Sequence, residues 1–186
     1  MNKSSLILKS ALALALATPL LASAESQLVT GAGAATAHLD FRVVIPRVLY
    51  LAVGTGNAAL ANNSTVDLLT FDYSGNAAGV GTGTDSAAQG VTVRVLGNSG
   101  QISLAAAGSG TGLTNGTDVI AWSEILASST DATNLAVPAV GGASAPVLNT
   151  ARVTSRTATW NYAYSNTDVV APGIYNGQIT YTATAP

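Results

Sequence analysis

The chain has no cysteine, and beyond residue 9 it has no lysine. The first absence excludes disulfides, thiolate metal ligation and thiol redox chemistry. The second leaves five arginines scattered over the 162 residues that follow residue 24, too sparse for a patch that neutralises phosphates. A nucleic-acid partner is therefore not expected. Histidine occurs once, at His38, so one chain cannot build a histidine-based triad or a multi-histidine metal site. Only 9% of residues are charged, against about 25% in an ordinary soluble domain. A positive mean hydropathy of +0.38 nevertheless opposes charge-driven disorder.

Long apolar runs are missing too. Residues 11–21 form a short apolar stretch behind Lys3 and Lys9, and Ala22-Ser23-Ala24 follows with the small residues of a cleavage site. The stretch is about half of the ~20 residues a spanning helix needs, and Pro19 interrupts it. Residues 1–24 read as a secretory signal peptide. The mature protein is expected to start at Glu25, to carry a net charge of −4 and no transmembrane segment, and to reach the cell surface or exterior through the Sec pathway and periplasm.

What remains is dominated by period-2 alternation. Leu39, Phe41, Val43 and Ile45 alternate with His38, Asp40, Arg42 and Val44, the pattern of a half-buried strand. Pro46 breaks it, and residues 48–53 continue as a second strand piece. Val91, Val93 and Val95, then Ile102, Leu104 and Ala106, flank the turn Gly97-Asn98-Ser99-Gly100, which predicts a hairpin. Further strands are expected over residues 65–73, 118–126, 152–164 and 175–184, with Ile120, Trp122 and Leu126 sharing one face. Seven or eight strands separated by turn-rich stretches predict an all-β sandwich in one domain, residues 36–186. Residues 25–35, with Leu28 and Val29 as their only sizeable apolar side chains, read as an arm outside that core.

Candidate chemistry is thin. The nine acids are dispersed, and Asp67 and Asp72, five apart, fall on opposite faces of a strand. The glycine-rich pieces at 79–83 and 108–112 lack the spacing, helix and lysine of a phosphate loop. No catalytic residue, cofactor or metal ligand is expected, and the chain reads as a non-enzyme. Trp160, Tyr162 and Tyr164 alternate on one strand face. Such a stripe is either cross-strand core packing, the favoured reading, or a carbohydrate-binding platform.

The segment Ala171-Pro172-Gly173-Ile174-Tyr175-Asn176-Gly177-Gln178-Ile179-Thr180-Tyr181-Thr182, a turn leading into an alternating terminal strand, resembles the last strand of bacterial fimbrial subunits of the chaperone–usher and spore-coat-U-like families. The opening strand broken at Pro46 is similar to their first strand. The resemblance implies an incomplete immunoglobulin-like sandwich completed by a neighbour's N-terminal arm, self-association into a homopolymer, and an export chaperone or usher as partner. Many such pilins carry a disulfide that this chain lacks, and their donor arms show a longer row of bulky apolar residues than Leu28 and Val29 supply. On this basis the arm is expected at the subunit interface through Leu28, Val29, Gly31 and Gly33, with Leu28 entering the groove. The expected role is a structural subunit of an adhesive or biofilm-forming filament. The alternative is a monomeric exported sandwich that binds a glycan or a surface protein.

Overall fold

The computed structural model describes residues 25–55 and 60–186; the signal peptide expected at residues 1–24 lies outside them. The chain divides into two units between Ile45 and Pro46.

In the unit Pro46–Pro186 the described residues form nine strands. They are β1 (Leu49–Val53), β2 (Gln89–Gly97), β3 (Ser103–Gly108), β4 (Gly112–Thr114), β5 (Val119–Ala121), β6 (Ile125–Ser129), β7 (Ala143–Ser144), β8 (Thr154–Tyr164) and β9 (Ile179–Thr184). One sheet runs β1-β2-β8-β6, a second β7-β3-β9, and β4 pairs with β5 alone; every ladder is antiparallel. The fold is the expected all-β sandwich. Strong alternation built its centre: β8, flanked on both edges, turns Ala158, Trp160, Tyr162 and Tyr164 inward, and β2 turns in Val91, Val93 and Val95. Ile102, Leu104 and Leu135 close the core from the other side. Among the described residues no helix is long and apolar enough to cross a membrane.

Four expectations about local structure fail. The predicted hairpin is not one, because β2 pairs with β1 and β8 while β3 pairs with β7 and β9. The turn at 97–100 carries the chain from one sheet to the other, and both runs alternate because each lines the same core from opposite sides. Asn98 fixes that crossing: its side chain accepts from Val48 N at 2.8 Å and donates to Pro46 O at 2.8 Å. Residues 65–73 form no strand. Leu69 and Phe71 pack on the core, but side chains hold the segment in place of a ladder, through Asp67 to Thr55 and Gln89 to Thr70 O. The single strand expected over 118–126 is interrupted by a 3-10 turn at Trp122–Glu124. The turn shifts the phase, so Ile125 faces the core and Leu126 is exposed. Lastly, residues 37–45 form no strand, and the first strand of the sheets is Leu49–Val53.

In the other unit, residues 25–38 close a loop on themselves. Thr36 N donates to Gln27 Oε1 at 2.9 Å, His38 Nδ1 lies 2.8 Å from Glu25 Oε2, and Gly31 takes φ +113° within the bend.

Candidate functional site

Strands β1 and β9 each end their sheet, and the two approach one another. At one end of this seam the Arg47 guanidinium donates to the carbonyls of Ala185 and Pro186. Further along lies a cleft of about 530 Å³, bounded by Leu51 and Val53 of β1, Ile179 and Tyr181 of β9, and residues 65–69. Val91, Ile125 and Tyr162 of the larger sheet also line it.

The lining is apolar with few polar groups, and those groups are engaged. The Tyr162 and Tyr181 hydroxyls are 2.8 Å apart, and Tyr181 leans on Trp160 with ring centroids 5.1 Å apart. Burial first, then the bond to Tyr181, pushes the Tyr162 hydroxyl far above its ordinary range; burial also raises Tyr181. Both therefore stay neutral. Asp67 is the one carboxylate in the lining, and it accepts from Thr55 N at 2.8 Å and Thr55 Oγ1 at 2.6 Å. Trp122 forms part of one wall. A Cβ on Gly177 would stand 2.7 Å from the Trp122 ring, so the chain passes there only as glycine. A mostly apolar site beside two sheet-ending strands, with the Asp67 carboxylate as its charged group among the described residues, has room for an extended peptide with bulky side chains.

The sequence-predicted interface residues lie in the loop of residues 25–38. Leu28 is 89% exposed. Val29 packs back on its own loop, where a Cβ at Gly33 would lie 2.9 Å from Val29 Cγ1. The arm is thus looped rather than extended, and the structure does not gather Leu28, Val29, Gly31 and Gly33 into one strand face. Trp160, Tyr162 and Tyr164 are all buried, so the stripe is core packing and those rings form no exposed platform. Tyr164 is also edge-on to Tyr73, centroids 5.8 Å apart.

The glycine-rich loop at 79–83 binds its own chain. Gly81 N donates to Asn166 Oδ1 at 2.9 Å, Gly83 N donates to Asn166 O at 2.8 Å, and Asn166 Nδ2 returns a bond to Gly79 O. Asn166 is buried and takes φ 53°, a conformation asparagine tolerates better than most residues. Asp72 accepts from Ser74 N at 2.8 Å in a local turn, while Asp67 is held by Thr55. Among the described residues no three His, Cys, Asp or Glu converge on a point where a metal could sit.

Sequence reasoning missed the cleft because it arises from two strands 130 residues apart that fail to pair. Only the alternation of β9, half-buried on one face, hinted at an unfinished edge. Compared with family models, curated proteins and solved structures, the chain matches none.

Proposed function

We propose that this chain is an exported structural subunit of a surface filament, joined to its neighbours by donor-strand exchange. The observation that carries the reading is the mostly apolar cleft between β1 and β9, two strands that end their sheets side by side without forming a ladder. A strand from a neighbouring subunit's N-terminal segment adds backbone hydrogen bonds to an open edge and sets its side chains into the cleft. Repeated head to tail, that contact is heterologous and propagates into a fibre. Low charge leaves little repulsion between successive subunits. Dissociation of such a contact is slow, because backbone ladder and buried side chains must separate together. An export chaperone or usher fits this scheme as the agent that shields the cleft before assembly.

The test is electron microscopy of material sheared from cells that express the full chain, with mass spectrometry of the filaments. The expected result is fibres built from the chain beginning at Glu25. Fibres that lack the chain, or its recovery only as a soluble monomer, would refute the reading.

A further inference from the structure

Residues 37–45 hold four large apolar side chains at every second position, outside any strand. Leu39 is 75% exposed, Phe41 85%, Val43 81% and Ile45 75%. Such a row left in water is an aggregation hazard unless something covers it. We infer that residues 37–45, rather than 25–35, are the donated strand, and that they enter the β1–β9 cleft of a second copy of this chain. The inference rests on the donor-strand reading above and names its donor.

Three observations commit the segment to that site. Its pattern is right: at about 3.3 Å per residue, Leu39 to Ile45 spans about 20 Å, the length of the six-residue β9 it would lie beside. Its chemistry is right as well. The row is apolar, like most of the cleft lining, while Asp40, Arg42 and Val44 share the opposite face. The third observation concerns why the recipient is another copy. A strand that ends at Ile45 could pair with β1 of its own chain only by reversing through the few residues before Leu49, and tight hairpins there require residues with positive φ. The link instead opens with Pro46, whose φ is fixed near −65°. It is also tied down: Pro46 O accepts from Asn98 Nδ2, Val48 N donates to Asn98 Oδ1, and Arg47 donates to the last carbonyls of the chain. A short link that cannot reverse is the situation in which an element is exchanged between copies. Residues 25–36, whose loop is closed by Thr36 on Gln27 and by His38 of the donated segment on Glu25, then act as a spacer ahead of the strand.

The absence of cysteine and the exposure of Phe41 allow a direct test on the full mature chain. A photo-crosslinking phenylalanine analogue at position 41 is irradiated in a mixture of isotopically heavy and light protein, and the linked peptides are read by mass spectrometry. Assembly of Phe41→Asp and Leu28→Asp is followed beside it by light scattering, with thermal melts to confirm that each body is folded. The expected result is heavy-to-light links from position 41 to peptides containing Leu51, Trp122 or Tyr181. Phe41→Asp should slow assembly at least tenfold, and Leu28→Asp should change it less than twofold. Links confined to one chain would overturn exchange between copies. Loss of assembly in Leu28→Asp but not in Phe41→Asp would overturn the donor assignment while leaving strand donation standing. Assembly indifferent to both substitutions and without links to the cleft would remove both readings.

Discussion

Strand β2 and residues 37–45 are written in the same pattern and meet opposite ends. In β2, Val91, Val93 and Val95 alternate with Thr92 and Arg94, and all three valines are buried. In residues 37–45, Leu39, Phe41 and Val43 alternate with Asp40 and Arg42, and all three apolar side chains stand in solvent. Composition does not separate the two stretches; neighbours do. β2 lies between β1 and β8 and its inward face meets the core formed with Ile102 and Leu104, whereas residues 37–45 have no ladder partner among the described residues. Alternation thus measures the capacity to form one side of an interface. It does not identify the other side.

The sharpest way to break this comparison is to place the same charge in both patterns. Val93 is fully buried among apolar side chains, so Val93→Asp strands a charge in the core. The expected loss is more than ~4 kcal/mol, a large part of the ~5–15 kcal/mol of a typical domain. Circular dichroism should show no cooperative melt. Val43→Asp should leave the urea midpoint of the monomer unchanged and abolish assembly. If both variants unfold, residues 37–45 are part of the body after all.

A smaller change acts on the cleft itself. Gly177→Ala puts a methyl group against the Trp122 ring and Leu113. Overpacking of this kind costs roughly 1–3 kcal/mol, read as a lower urea midpoint. Because Trp122 also lines the cleft, assembly should weaken beyond what the lost stability explains. Unchanged assembly in a destabilised Gly177→Ala protein would place the donated strand away from this wall.

How much of this was legible in the residues depends on whether the partner was local. The inward faces of β2 and β8 were readable because alternation and burial agree wherever a strand is flanked on both edges. Sheet membership was not. Gly97-Asn98-Ser99-Gly100 has the composition of a hairpin turn, and only the contacts of Asn98 with Pro46 and Val48 show that it crosses between sheets. The same limit hid the cleft, and it led the sequence reading to take residues 37–45 as a strand of the sheets. Residues 65–73 misled for another reason: Leu69 and Phe71 do face the core, but side-chain bonds through Asp67 and Gln89 replace the ladder.

On the cleft floor, the hydroxyl pair of Tyr162 and Tyr181 offers a finer comparison. Tyr181→Phe leaves the half-buried Tyr162 hydroxyl without its partner, at about 1 kcal/mol. The double variant with Tyr162→Phe removes both groups and should recover part of that loss. A double-mutant cycle in urea measures the coupling. A coupling of zero would mean that solvent in the cleft replaces the bond.

The smallest expected effect separates the body from the arm by pH. Glu124 ends the 3-10 turn before β6, and its carboxylate accepts from the Thr167 hydroxyl, from Thr167 N at 3.0 Å and from the Ser165 hydroxyl at 2.7 Å. These bonds, the Thr167 hydroxyl foremost, hold its pKa below the ordinary carboxylate value against a modest opposing effect of burial. A lowered folded-state pKa means that the unfolded chain takes up the proton first as pH falls. The stabilisation is therefore complete above the ordinary glutamate range and is lost as pH drops through the lower, folded-state value. Glu124→Gln keeps the shape and removes the titration, at less than ~1 kcal/mol near neutrality. Melting temperatures of the two proteins should differ slightly at pH 7 and converge in acid. The arm's contact of His38 with Glu25 lies on exposed side chains outside the sheets, so His38→Gln should leave the melting temperature of the body unchanged at pH 7. A melting temperature lowered by His38→Gln would couple the arm to the stability of its own body, and the division between the two regions would fail.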